Sequence, residues 1–351
     1  MMTRTLVLSA ILGALPFGCV QNPTSAIQEI PIPSAQGVYI INQGNFGRAN
    51  ASLSYFDLQN LRVYNDVFAS VNGKLLGDVA QSMTIKGGTG YIVVNNSQKI
   101  EVIDLASNVN TATISTGSGS SPEEMVFASD TVALVTDLYA NQALVVNLRT
   151  HALVGAIAVG ENPVGIVIAA GKAYVANSGF GGGKTVSVIA LGSMTVVRTI
   201  TVSDNPNGIE LTPSGMVYAV CTGSYDFSNP TNDTPAKIMV IDPSSDVVVD
   251  SIYIGGHASD IAIGADGTGY IPTTTAVLQI DSRVHKVTGT FKTGVFYAAG
   301  VELSSGDVYL ADAKDFVQPG TVSVFEPNGE LRTQFTVGII PGAFAFKRLS
   351  R

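Results

Sequence analysis

Two short apolar motifs alternate through this chain, and their recurrence leaves few folds open. The stretch 160–202, GENPVGIVIAAGKAYVANSGFGGGKTVSVIALGSMTVVRTITV, holds four runs rich in Val, Ile and Thr and bounded by Gly, Asn and Pro. That is the signature of four short strands, enough for one small antiparallel sheet that cannot bury both of its faces alone. The unit recurs. Relatives of AYVAN are VYIIN (38–42), GYIVVN (90–95), VALVTD (132–137), VYAVC (217–221), GYIPT (269–273) and VYLAD (308–312). Relatives of TVSVI (185–189) are SLSYFD (52–57), KIEVID (99–104), ALVVN (143–147), KIMVID (237–242), VLQID (277–281) and TVSVFE (321–326). Four strands in each period of roughly forty to fifty residues mean a propeller. The fold class is therefore all-β, a seven-bladed β-propeller with four-stranded antiparallel blades. The first unit begins directly at VYIIN and lacks an innermost strand, while the chain ends on an orphan one, GIIPGAFAFK (338–347). The C-terminal strand is expected to pair into the N-terminal blade, closing the ring and removing open sheet edges.

A repeat ring is one unit, so the 351 residues need not divide into two domains. The chain has no Trp, which argues against a WD-type repeat. Its net charge of −8 disfavours phosphate backbones, so no nucleic-acid partner is expected. At the N-terminus, Arg4 precedes LVLSAILGALPF (6–17), too short to span a membrane and right for a signal-peptide core. Gly18-Cys19 follows and resembles a bacterial lipoprotein processing site. The expected organisation is a signal peptide over 1–19 ending in a lipidated Cys19, a tether over 20–36 and a single propeller over 37–351. An outer-membrane-anchored lipoprotein is implied, touching the membrane through its lipid only, on either the cell-surface or the periplasmic side. The other cysteine, Cys221, sits in a strand and reads as a buried, inert thiol.

In a blade, loops joining the second strand to the third share a face with the links between blades. Those loops are long and varied here: QGNFGRANA (43–51), LYANQ (138–142), SGFGGGK (178–184), TGSYDFSNPTNDTPA (222–236) and AKDFVQPG (313–320). Turns on the other face are tight, such as AAGK (169–172), DPSSD (242–246), ADGT (265–268) and SSGD (304–307). One face thus carries the elaboration, and working residues concentrate on such loops. Aromatics recur there: Phe46, Tyr139, Phe180, Tyr225, Phe227, Phe296, Tyr297 and Phe316. Asn42, Asn95, Asn96, Asp137, Asn177 and Asp312 lie at strand ends on that face, where they either meet a ligand or cap their own loops.

Catalytic patterns are scarce. His151 and His285 fall in turns on the tight face and read as solvated; His257 falls on the elaborated face. No Ser-His-Asp or Cys-His arrangement and no HExxH pattern is present. SGFGGGK joins two strands and lacks phosphate-loop spacing, so it reads as a flexible loop. Asp104, Asp242 and Asp281 close third strands before tight turns, an Asx-turn role.

Across all seven units, AYVAN with TVSVI resembles the YVTN-repeat (YncE-like) propellers. INQGNFGRANASLSYFD (41–57), VNGKLLGDVAQSM (71–83), YIVVNNSQKIEVID (91–104) and VTDLYA (135–140) resemble a group of Bacteroidota lipoprotein propellers that includes the BtuG type. That resemblance implies capture of cobalamin or another corrinoid, with a TonB-dependent outer-membrane transporter as partner. Two departures stand out. VQNPTSAIQ (20–28) carries no acidic export patch, and SPEEM (121–125) stands where the group usually has Ser-Pro-Arg.

Three functions are compatible with these residues. The first is a non-enzymatic binding protein that captures a corrinoid or another large ligand, with no resident cofactor. Its candidate contacts are Asn45, Phe46, Asp78, Gln81, Asn96, Tyr139, Phe180, Tyr225 and Tyr297: aromatics to stack, amides and Asp78 to hydrogen-bond. The second is a metal-dependent lyase or lactonase-type enzyme built on Asp226, His257 and Asp260, disfavoured by the scarcity of His. The third is a protein-interaction scaffold in the envelope, for which exposed aromatics serve equally well.

Overall fold

A computed structural model describes residues 36–226, 228–258 and 260–348. The signal-peptide segment with Cys19 and almost all of the tether lie outside the described residues, as does Phe227. Seven separate four-stranded antiparallel sheets are present, each running in chain order from its first strand to its fourth, except for one closure. Blade 1 takes its innermost strand from the C-terminus. Pro341–Lys347 pairs with Gly37–Asn42, setting Val38 opposite Phe346 and Ile40 opposite Phe344. The propeller closes as its repeat pattern requires.

Second strands explain why the sequence runs so apolar. In Gly37–Asn42 every residue is buried. Side chains alternate across a strand, so Val38 and Ile40 enter the seam with blade 7 while Tyr39 and Ile41 enter the seam with blade 2. A strand packed on both faces reads as a continuous hydrophobic run. Outer strands differ. Thr195–Thr201 exposes most of its residues and buries Ile200. The buried side chains fall into seven clusters, one at each seam between neighbouring blades.

A polar clasp supplements several seams. The turn between third and fourth strands places a non-glycine residue at left-handed φ: Asn108 (59°), His151 (51°), Met194 (53°), Asp246 (55°) and His285 (52°). Asn108, Asp246 and His285 meet the second-strand tyrosine of the preceding blade. Tyr39 donates its hydroxyl to Asn108 Oδ1 at 2.7 Å, and Tyr174 donates to Asp246, which also holds Lys172 Nζ at 2.7 Å. Tyr218 donates to Ser282 O at 3.1 Å and lies edge-on to the His285 ring. His285 is therefore no free turn residue. Its Nδ1 lies 3.0 Å from Asp250 Oδ2, and it packs on Tyr218. Where blade 3 has Leu134 in the tyrosine position, the facing turn carries Met194, which packs against the same apolar cluster.

The connection leaving blade 1 holds a short helix, Val67–Asn72, which buries Val67 and Phe68 in the blade 1–2 seam. Cys221 is fully buried, and burial pushes its thiol up to about 12, as expected of an inert core residue. Asp104, Asp242 and Asp281 each accept backbone N–H groups of their own turns.

The clasps make a paired prediction. Tyr39→Phe strands the buried Asn108 carbonyl and should cost about 1–2 kcal/mol. Tyr309 occupies the same position in blade 7, but its buried hydroxyl has no partner. Tyr309→Phe should therefore be neutral or stabilising, because it removes an unsatisfied group. Urea-unfolding midpoints of the two variants check this; equal losses would refute the clasp.

Candidate functional site

The elaborated face opens into a cavity of about 650 Å³ at the mouth of the central channel, with a second of about 330 Å³ beside it. Gln43, Gln81, Glu123 and Leu138 line both. The larger cavity draws Ser178, Phe180, Ser224 and Tyr225 from loops between second and third strands, and Tyr297 from the link into blade 7. The predicted face and the observed cavity coincide.

The rim consists of paired aromatics. Tyr139 and Phe180 have ring centroids 5.7 Å apart; Tyr297 and Phe316 meet edge-on at 5.5 Å; Tyr225 stacks on His257 at 3.7 Å. Most stay open to solvent, Phe46 at 75% and Phe180 at 65%. Two are held against their backbone preference, Phe180 at φ 50° and Phe316 at φ 63°. A bulky residue at left-handed φ is uncommon and costs roughly 1–3 kcal/mol, so the loop must fix it there. For Phe180, the amides of Gly181, Gly182 and Gly183 close a tight turn onto Ser178 and Gly179 carbonyls. For Phe316, Asn45 Nδ2 donates to its carbonyl at 2.6 Å. SGFGGGK is thus a shaped loop, with a 3-10 turn at Gly179–Gly181, that presents one ring.

Of the nine residues picked out as contacts, Gln81, Phe180, Tyr225 and Tyr297 line the larger cavity, and Asn45, Phe46, Gln81 and Tyr139 the smaller. Asp78 and Asn96 line neither. Asp78 accepts Gly47 N at 3.1 and 2.9 Å and Asn96 Nδ2 at 2.7 Å, so the pair braces the loop that carries Phe46. Asn42, Asn95 and Asn177 likewise hold hydroxyls and carboxyls of neighbouring strands. Asp137 accepts Ser121 N and Asp312 accepts Lys314 N.

Of the enzyme candidates, Asp226 and His257 both meet Asp233, through Asp226 N at 2.6 Å and His257 Nε2 at 3.6 Å. Asp226 accepts from Ser228, Asn229 and Asn232 within its own loop. His257 donates Nδ1–H to Thr222 O at 3.0 Å, with Nε2 3.6 Å from Asp233. Asp260 lies in the cavity wall. Among the described residues, no group of three or more His, Cys, Asp or Glu could hold a metal ion.

The floor holds carboxyls that sequence reasoning does not pick as ligand contacts: SPEEM (121–125) stands out there only as a departure and Asp260 only as an enzyme candidate. The first strand of blade 3, Pro122–Phe127, begins with a register break between Pro122 and Met125, and this bulge turns two consecutive carboxyls, Glu123 and Glu124, into the cavity wall. Asp260 joins them from blade 6, and Glu210 stands close by in the first strand of blade 5. Burial, then the charge of Asp137, raises Glu123 to about 8; burial, then Asp260, raises Glu124 to about 8 and Glu210 to about 7. Asp260 touches channel water yet is encircled by protein, and that loss of bulk water lifts it to about 6. Pro at the strand entry and polar residues directly after it, SPEEM at 121–125, were the available signal.

Raised carboxyls fix a pH signature. Native Glu124 releases its proton near 8 and an unfolded Glu near 4.5, so the native state binds more protons across that window and loses stability as pH rises through it. Glu124→Gln should match the unsubstituted chain at about pH 5 and melt higher at about pH 9. Thermal midpoints at the two values test it; a variant less stable at both would overturn the assignment.

Two solved structures share the fold. A quinonprotein alcohol dehydrogenase-like protein from Bacteroides thetaiotaomicron aligns with a TM-score of 0.69 at 13% identity, covering 90% of this chain and 78% of that one. Kuenenia stuttgartiensis hydrazine synthase aligns with a TM-score of 0.58 at 20% identity, covering 72% of this chain and 80% of that one. No curated protein sequence matches. A model described as a domain of unknown function, DUF5074, matches residues 36–230, more than half of the chain, and the protein belongs to that family.

Proposed function

We propose that the protein is a non-enzymatic ligand-capture propeller whose site is the channel mouth on the elaborated face. The observation that carries this reading is the set of aromatic rings held open around the cavity, two of them at left-handed φ. Rings left in water and fixed by their loops are preorganised for a flat partner, which keeps the ordering cost of binding low. Amides of Gln43, Gln81, Asn205 and Asn207 in the wall supply directional hydrogen bonds beneath them. A corrinoid, a flat macrocycle fringed with amide groups, has the matching shape and polarity, and the resemblance of 41–57 and 91–104 to cobalamin-capturing lipoproteins supports it. On this reading the protein is exported, anchored through a lipid on Cys19, and passes its ligand to a TonB-dependent transporter in the outer membrane.

Calorimetric titration with cyanocobalamin and with cobinamide tests the proposal. The expected result is sub-micromolar binding that Phe180→Ala or Tyr225→Ala weakens about tenfold or more, the loss typical of a central aromatic contact. No heat at roughly 100 μM of either corrinoid, well above such a Kd, would sink corrinoid capture.

A further inference from the structure

Charge on the cavity wall is one-sided. Glu123, Glu124 and Asp260 line it, and no Lys or Arg does among the described residues of either cavity. Each carboxyl accepts a single protein hydrogen bond: Glu123 Oε1 from Asn95 Nδ2 at 2.6 Å, Glu124 Oε2 from Ile166 N at 3.1 Å, Asp260 Oδ1 from Ile261 N at 2.8 Å. Among the described residues, the second oxygen of each has no hydrogen-bond partner. For Glu123 this matters most, because the side chain is more than nine-tenths buried and its unpartnered oxygen opens on the lumen.

The same molecule treats several of its other shielded acids differently. Glu101, fully buried, holds Lys99 at 2.6 Å, Lys74 at 3.3 Å and the hydroxyl of Thr113 at 2.6 Å. Asp246 holds Lys172, Asp204 holds Lys184, Asp307 holds Arg332 and Glu302 holds Arg348. Their lysines hold Glu101 and Asp204 below the usual carboxylate range, and hydrogen bonds from Ser304 and Ser305 with Arg348 hold Glu302 there, whereas the channel carboxyls sit above it. Buried acids are normally paired, since an uncompensated one carries the full desolvation penalty. Here the protein supplies no cation, and the vacant acceptors face a cavity rimmed by Phe180, Tyr225 and Tyr297, whose ring faces attract positive charge.

We infer that the ligand group reaching the cavity floor is an organic cation, a protonated amine that takes the free oxygens of Glu123, Glu124 and Asp260 beneath the aromatic rim. This rests on the capture reading and adds the charge of what is captured. An ammonium fits better than a bare metal ion, because it is satisfied by one or two of these carboxyls, and among the described residues they form no metal-binding trio. An anionic ligand would find no Lys or Arg on the floor to answer it.

The test uses the full chain and three probes that share one planar body and differ in charge: tryptamine, indole-3-ethanol and indole-3-acetate. Tryptamine should bind about tenfold or more tightly than the neutral alcohol, as charge-assisted hydrogen bonds allow, and the acetate should not saturate. Glu124→Gln with Asp260→Asn should lower tryptamine affinity about tenfold, toward that of the alcohol, and an unchanged far-UV circular dichroism spectrum separates lost charge from lost fold. Equal binding of the three probes, no binding of tryptamine, or a preference that survives the double substitution would overturn the inference. Corrinoid binding without any charge preference would leave capture standing and remove the cation. Tryptamine selectivity without corrinoid binding would keep capture of a cation and remove the corrinoid as what is captured.

Discussion

The architecture depends on the packing of one blade against the next. A four-stranded sheet of this size cannot bury both faces, and each blade solves that by sending alternate side chains of its second strand into two different seams. Tyr39 and Ile41 go one way, Val38 and Ile40 the other, and each of the seven apolar clusters belongs to a pair of neighbours. No blade is stable as an isolated sheet, so closure by Pro341–Lys347 is what turns seven pairwise contacts into a ring without ends. The tyrosine clasps add direction to this packing. A hydroxyl at the end of a long ring reaches past the apolar seam to the next blade's turn, and Asn108 or Asp246 can stand there because such short polar residues tolerate left-handed φ. Leu134 facing Met194 shows the pair changing together: where the donor is lost, so is the acceptor.

This division of labour determines where function can sit. The tight face is committed to holding blades together, through Lys172, Tyr174 and Asp246 at one seam and through Tyr218, Ser282 and His285 at the next. Its turns cannot vary freely without loosening a clasp. Loops on the other face also touch across seams, as Asn45 does at the Phe316 carbonyl, yet they leave their aromatic rings in the open. Gly223 and Gly183 let those loops double back onto their own backbone, where an added Cβ would meet Thr234 O at 2.0 Å or Asn177 O at 2.1 Å. The loops are therefore built as rigid holders, and what they hold is aromatic.

The fold was legible because its signal is redundant: two motifs, each repeated, with a missing strand at one end and a spare at the other. The aromatic rim was legible for a related reason, since loop length marked the face and aromatics such as Phe180 and Tyr225 have no core to enter from those loops. The carboxyl floor was not. Glu123 and Glu124 occupy a first strand, and only the bulge after Pro122 gives adjacent residues access to one cavity; a regular strand would have sent them to opposite faces. Asp78 and Asn96 erred in the other direction. Both sit on the correct face with suitable chemistry, but they bond to each other and to Gly47, a pairing between separate segments that spacing does not reveal. His285 shows the same limit, because the Asp250 that engages it belongs to a neighbouring blade.

The channel carboxyls stand apart from the rest of the molecule in energetic terms. Elsewhere the chain answers shielded acids such as Glu101, Asp246 and Glu302 with a lysine or arginine, and two lysines converge at Glu101. At the channel it gathers like charges that raise one another and leaves half of their oxygens unfilled. Such an arrangement destabilises the native state at neutral and higher pH, and nothing in ring closure or seam packing requires it, since the equivalent inner positions of blade 4 carry Val164 and Gly165. A feature that opposes folding, is confined to one cavity and lies under a rim of fixed aromatic rings has its compensation outside the chain, in whatever enters the channel mouth.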